Sequence, residues 1–299
     1  MINTMLNQTL IAICREPIAE KLSFEIKEEA LRFGIPLHTD GAQLFNRSYH
    51  SERWVSNQCL DTSQRERLRL MAAKYKTDLC FLKPELLLNP IRVLAMDMDS
   101  TLINIECIDE IADFTGKKSA VAQITEATMR GEIKDFKESL RRRVALLEGV
   151  SADTLEAVYR ERLRPNPGAA ELLAGAHQHG IYTLLVSGGF NFFTEKLRQQ
   201  FGLKQTQANT LEIIDNKLTG KVLGNIVDGF AKASYLDEVC TNLGCTKANS
   251  MTMGDGANDL MMMSGSGISV AYKAKPVLKE KADAAFDYVG LDAALLLIA

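Results

Sequence analysis

Short apolar runs and amphipathic stretches alternate along the chain, and their order predicts a layered α/β protein. Leu10-Ile11-Ala12-Ile13-Cys14 reads as a strand. Residues 17–33 carry helical spacing, and Gly34 with Pro36 close to it forms a stop signal. Strand-like pieces follow at Ala42-Gln43-Leu44-Phe45 and around Trp54-Val55. Asp61-Thr62-Ser63 then supplies a cap for a helix running through Lys74, and Leu79-Cys80-Phe81-Leu82 makes a further strand.

Beyond Pro84 and Pro90, which bracket a predicted linker, the rhythm changes. Residues 91–96 are almost continuously apolar, as a parallel strand buried on both faces requires. Residues 105–163 are helical in pattern, with Gly131 and Gly149 as breaks. Strand and helix then alternate: a strand at 182–186, a helix at 191–201, strands at 211–214 and 218–222, a helix at 231–243, and strands at 250–253 and 268–271. The expectation is a parallel-sheet core (86–299) with a helical insertion, preceded by a smaller α+β unit (1–85).

Composition removes several alternatives. The formal net charge of −3 offers no basic stripe for nucleic acid. The run Arg141-Arg142-Arg143 is too isolated to change that. No Cys-x-x-Cys pair occurs among the six cysteines, which excludes the usual zinc and redox motifs. No apolar stretch approaches the roughly 18 residues of a membrane span, and the N-terminus lacks the layout of a signal peptide. A cytoplasmic protein with reduced thiols, touching neither membrane nor nucleic acid, is expected.

The chemistry concentrates where apolar runs end. Asp97 and Asp99 follow the strand at 91–96, and ligands of open parallel sheets collect beyond the strands' carboxyl ends. Two carboxylates converging there repel unless a cation or a shared proton compensates. Mg²⁺ suits such a site, because it takes a few oxygen ligands and accepts phosphate oxygens as well. By themselves the two aspartates fit a strand-to-turn cap equally well. Ser187-Gly188-Gly189 after the strand at 182–186 reads as a phosphate-approaching turn at a helix N-terminus. Gly254-Asp255-Gly256-Ala257-Asn258-Asp259 brings further carboxylates to the same edge. Lys232, at a predicted helix start, offers a point charge or is simply a surface lysine.

In chain order, Asp97-x-Asp99-x-Thr101, Ser187, Lys232 and Gly254-Asp255-Gly256-x-Asn258-Asp259 resemble the four motifs of the haloacid dehalogenase superfamily, over residues 91–299. Three further segments extend the resemblance to that superfamily's phosphoserine phosphatases. They are Glu106-Cys107-Ile108-Asp109-Glu110-Ile111-Ala112, Ser139-Leu140-Arg141-Arg142-Arg143-Val144 and Ala274-Lys275-Pro276. The resemblance implies a Rossmann-like core with a small helical cap at about 105–166. It also implies Asp97 as nucleophile and Asp99 as general acid/base. Mg²⁺ would be held by Asp97, the Asp99 carbonyl and Asp255, with Asp259 in support. Ser187, Gly188, Gly189, Lys232 and Asn258 would hold the substrate's phosphoryl group.

For O-phospho-L-serine, the resemblance implies Glu106 against the ammonium and Arg143 against the carboxylate, a pairing that suits a planar guanidinium. Met129 and Phe136 would exclude water. The expected reaction is hydrolysis to L-serine and phosphate, the last step of serine biosynthesis. Phosphotransfer to homoserine, or a regulatory amino-acid-binding role, are the rival readings. The order of elements in 1–85 resembles the ferredoxin-like ACT-type module, a candidate for homodimerisation.

Overall fold

The structure is a computed structural model that describes residues 8–40, 48–130 and 132–298, without the side chains of Leu87 and Met129. The strand-like piece at 42–45 and the break at Gly131 therefore lie outside the described residues. The first elements are β1 (Gln8–Cys14), α1 (Glu20–Arg32), β2 (His38–Thr39), β3 (His50–Ser56), α2 (Thr62–Ala73) and β4 (Asp78–Leu82). They form an antiparallel sheet in the order β2-β3-β1-β4, which is the split βαβ arrangement.

Asp61 caps α2 as its sequence implies. The Gln64 N–H donates to Asp61 Oδ1 at 2.9 Å, and the Gln64 side chain accepts from the Asp61 N–H at 2.9 Å. Side-chain alternation explains why β1 is buried throughout. Leu10 and Ala12 pack with Leu22, Ile26 and Leu68 of α1 and α2, whereas Ile11 and Ile13 join the main core on the other face.

The remaining elements are β5 (Val93–Met96), α3 (Cys107–Phe114), α4 (Lys118–Met129), α5 (Phe136–Ala145), α6 (Asp153–Ala157), α7 (Ala169–Gln178), β6 (Tyr182–Phe190) and α8 (Asn191–Phe201). They continue with β7 (Gln205–Ile214), β8 (Lys217–Leu223), α9 (Gly229–Asn242), β9 (Ser250–Gly254), α10 (Leu260–Met263), β10 (Ile268–Tyr272), α11 (Pro276–Lys281) and β11 (Ala284–Phe286). β11, β10, β9, β5, β6 and β7 are parallel neighbours in that order, and β8 adds an antiparallel edge. Helices α3 to α6 leave the core after Ile103 and return at Pro165, where Ile103 and Pro165 form a β-bridge. Asn166 pins this doorway by donating to the carbonyls of Thr101 and Ile103 at 2.8 and 3.0 Å. Among the described residues no helix is long and apolar enough to cross a membrane.

The core strands β11 to β7 are parallel as expected, and only β8 adds an antiparallel edge. The sheet also continues past the expected linker. Pro84–Leu88 is a short 3-10 turn, and β4 pairs antiparallel with β11 at Cys80 and Ala284, giving one sheet of 11 strands. The reason lies in polar groups that local pattern cannot place. The Arg69 guanidinium donates to the carbonyls of Lys279 and Ala282 at 2.7 and 2.8 Å. Asp78 accepts the N–H groups of Asp287, Tyr288 and Val289. The Tyr49 hydroxyl donates to Asp292 at 2.6 Å.

Arg69→Ala should therefore cost about 2–3 kcal/mol of unfolding free energy, because buried carbonyls lose a charged donor. Denaturant titration with an unchanged midpoint would show that this seam is held by apolar contact alone.

Candidate active site

Strand register decides which side chains meet. Met96 of β5 lies opposite Leu185 of β6 and Met253 of β9, so the next residues along all three strands emerge at one edge. The Asp97 N–H extends the ladder by donating to the Met253 carbonyl at 3.0 Å. After Asp97 the chain folds back through a tight turn at Met98–Leu102, with Ser100 in the left-handed region at φ 56°. That turn brings the Asp99 carboxylate to the start of α3, where it accepts the Cys107 N–H at 3.1 Å.

Behind the edge lies a buried row of charges. Lys232 Nζ sits 2.7 Å from Asp97 Oδ2 and 2.8 Å from Asp259 Oδ1. Asp97, Lys232 and Asp259 are 4%, 1% and 0% exposed, so solvent screens none of them. Met98 N–H donates to Asp97 Oδ1 at 2.7 Å, and Asn258 Nδ2 donates to Asp97 Oδ2 at 3.3 Å. The other oxygen of Asp259 accepts the N–H groups of Asp255 and Gly256, each at 3.2 Å. Asp259 is thereby committed to the lysine and the loop. A side chain at Gly254 would collide with that carboxylate, so the loop can close only with glycine there.

Asp97, Asp255 and Asp259 each present an oxygen within 4.8 Å of the others, a cluster able to hold a metal ion. Asp99 is absent from it, because its carboxylate faces α3. Burial first, and then Asp259, pushes the Asp97 carboxyl well above the usual range, against the opposing pull of Lys232. Burial and then Asp259 also raise Asp255, to about 6. Burial and then Glu106 raise Asp99 to about 7. The three carboxyls carry more negative charge than Lys232 neutralises, and they are oxygen donors only. Both properties match a hard divalent cation.

Ser187 differs from its expected setting. β6 runs on through Phe190 and α8 begins at Asn191, so Ser187-Gly188-Gly189 is the end of a strand and not a helix N-terminus. Pairing with β7 resumes at Phe190 opposite Asn209 after a register shift, which prolongs the strand. Ser187 Oγ accepts the Gly189 N–H at 2.8 Å. A Cβ on Gly189 would stand 2.5 Å from Asp99 Oδ2, so this position must stay bare for Asp99 to reach the site.

A cavity of about 710 Å³ joins this edge to the cap. Its core wall holds Asp97, Asp99, Ser187, Gly188, Gly189, Asp255 and Asn258; its cap wall holds Glu106, Phe136 and Arg143. Lys232 and Asp259 stand behind the wall. The Glu106 carboxylate accepts from Ser100 Oγ at 2.7 Å. Arg143 makes no ion pair among the described residues, and its buried Nε has no partner there. Burial lowers its pKa while Asp109 and Glu106 oppose the shift. An unpaired, mostly enclosed guanidinium is costly and stands ready for an anionic ligand. The Met129 side chain lies outside the described residues.

A family model described as haloacid dehalogenase-like hydrolase matches residues 94–264, more than half of the chain. The chain belongs to that family. It is 53% identical over 219 residues to a phosphoserine phosphatase of Polaromonas sp., covering 72% of this chain and 93% of that one. Two solved structures span nearly its whole length, the N-terminal sheet included. A HAD family hydrolase from Salmonella enterica serovar Typhi has a TM-score of 0.84 at 30% identity, covering 97% of this chain and 98% of that one. A probable phosphoserine phosphatase from Vibrio cholerae, in unliganded form, has a TM-score of 0.76 at 32% identity, covering 97% and 86%.

This haloacid dehalogenase-like hydrolase also uses residues that sequence reasoning missed. Asn209, 1% exposed, donates to the Gly188 carbonyl at 2.8 Å and accepts the Val227 N–H at 2.9 Å, tying the end of β6 to the approach to α9. An asparagine in a β-rich passage carries no signal of that task. Asp109 and Lys275 line the cavity. Both lie within segments that carried the resemblance, so position in those segments could have found them.

Proposed function

We propose that this hydrolase converts O-phospho-L-serine and water to L-serine and phosphate through an aspartyl-phosphate at Asp97. The carrying observation is the enclosure, in one cavity, of a buried carboxylate backed by Lys232 and of the unpaired Arg143 with Glu106 nearby. The first offers a nucleophile and phosphoryl site; the second matches the carboxylate and ammonium of an amino acid. The kinship with the Polaromonas phosphatase supports the same substrate.

Mg²⁺ fits the carboxylate cluster, with Asp97, Asp255 and the Asp99 carbonyl as its holders. Asp259, already bound to Lys232 and two amides, supports from behind. When bound, Mg²⁺ supplies positive charge where phosphoryl oxygens gain negative charge.

Asp97 attacks phosphorus as the bond to the serine oxygen breaks. Asp99, with its pKa raised to about 7, is partly protonated at neutral pH and gives its proton to the departing oxygen. It then takes a proton from the water that attacks the aspartyl-phosphate, releasing phosphate and restoring Asp97. Lys232, Ser187 and the amides of Gly188 and Gly189 hold the phosphoryl oxygens, and Asn258 orients Asp97. Phe136 covers the site, its ring 3.0 Å from where a Cβ on Gly188 would lie. Residues 8–82 are read as the ACT-type unit on their strand order, and homodimerisation is the task proposed for it.

Phosphate release from O-phosphoserine, phosphothreonine and a sugar phosphate, with Mg²⁺ present, tests the assignment. Preference for phosphoserine is expected; equal turnover of the sugar phosphate would overturn it. Cation affinity should also rise with pH. Asp255 holds a proton below about pH 6, and the cation must displace that proton to bind. Calorimetry showing the same affinity at about pH 5 and about pH 7 would remove Asp255 from the metal site.

A further inference from the structure

An ion pair outside the cavity joins the cap to the core. Lys137 Nζ, in the first turn of α5, lies 3.1 Å from Asp228 Oδ2, with side-chain exposures of 42% and 22%. The other oxygen of Asp228 caps α9 by accepting the Ala231 N–H at 2.9 Å, and its main-chain carbonyl accepts the Lys232 N–H at 2.9 Å. One carboxylate thus grips the cap with one oxygen and, with the other, the helix turn that presents Lys232.

Each end of this pair is rigidly linked to a substrate anchor. On the cap side, Arg143 follows Lys137 along the same helix, roughly 9 Å further along its axis. On the core side, Asn209 fastens Val227, the neighbour of Asp228, to Gly188 in the phosphoryl-holding strand end. Neither Lys137 nor Asp228 lines the cavity.

We propose that the Lys137–Asp228 pair is a spacer that fixes the distance between Arg143 and Lys232, making both residues specificity-determining for phosphomonoesters that carry a carboxylate. The proposal rests on the phosphoserine reading. A substrate anionic at both ends needs two anchors at a set separation, whereas an ester with only a phosphate needs one. The pair acts by position and touches no reacting atom.

The test compares wild type, Lys137→Gln, Asp228→Asn and the double variant on O-phospho-L-serine and on p-nitrophenyl phosphate, which has no carboxylate. Asn retains the helix cap, so α9 and Lys232 stay in place. Each single variant should raise KM for O-phosphoserine roughly three- to fivefold with kcat little changed, the range of a partly exposed pair. Values of kcat/KM for p-nitrophenyl phosphate should hold within about twofold, and the double variant should be no worse than either single one. Parallel losses on both substrates, additive effects, or an unchanged KM would each overturn the spacer. Should Asp228→Asn fail to fold, Lys137→Gln decides alone, since glutamine suits the first turn of α5. Wild-type enzyme that cleaves p-nitrophenyl phosphate but not O-phosphoserine would instead remove the substrate reading. A wild-type preference that every variant retains undiminished would remove only the spacer.

Discussion

Asp97→Asn is expected to reduce phosphate release by at least about 10⁴-fold while leaving the protein folded. The amide keeps the shape of the carboxylate and cannot attack phosphorus. Stability at neutral pH should fall by no more than about 1–3 kcal/mol, because the amide nitrogen meets one of the donors now bound to Asp97. Burial and the nearby Asp259 and Asp99 disfavour the Asp97 charge, and Lys232 keeps its bond to Asp259 at 2.8 Å. Single-turnover assays and thermal unfolding check both parts. Retained turnover would exclude covalent catalysis at this position. Lost turnover with a lost fold would show that the Asp97–Lys232 contact is chiefly structural.

Lys232→Met should damage activity and fold together. Its ammonium lies within 2.8 Å of two carboxylates in a setting that is 1% exposed, so its removal leaves buried charges uncompensated. A loss of about 3–5 kcal/mol is expected at neutral pH without metal, with kcat/KM down roughly 10³-fold. The stability deficit should vary with pH in a defined direction. Without the lysine, burial and the nearby Asp259 hold the folded-state pKa of Asp97 still further above its unfolded value. Stability is then retained where Asp97 is protonated and is lost as pH rises through its folded value. The deficit therefore widens from acid to neutral pH. Denaturant titrations in chelator across that range would show it, and a constant deficit would assign the effect to packing.

The chemistry-bearing strand ends were legible because each is announced locally. An apolar run stops, and carboxylates, glycines or a hydroxyl follow at once, as at Asp97, Ser187 and Asp255. Lys232 is different. Only the fold shows that it is buried, since its partner Asp259 is 27 positions away and nothing in the first turn of α9 marks it as enclosed. Asn209 was illegible for the same reason. The continuation of β6 past Ser187 is not legible, because serine and glycine fit a strand or a helix start, and only the pairing of Phe190 with Asn209 decides between them. Arg69 reads as any solvated helix arginine until α11 and β11 bring three carbonyls to it.

Alone, the sequence determined the alternation of strands and helices, though not α7, α11 or β11, together with the capping of α2 by Asp61 and the set of oxygen-bearing residues from which the site is assembled. These depend on side-chain periodicity and on bonds between residues a few positions apart. The tertiary structure alone decided that the antiparallel strands at the amino end join the core sheet, that Lys232 lies between Asp97 and Asp259, and that Arg143 faces the cavity with no ion pair among the described residues. Those outcomes depend on strand register and burial between distant segments. Desolvation makes such contacts strong, and no local pattern carries a record of them.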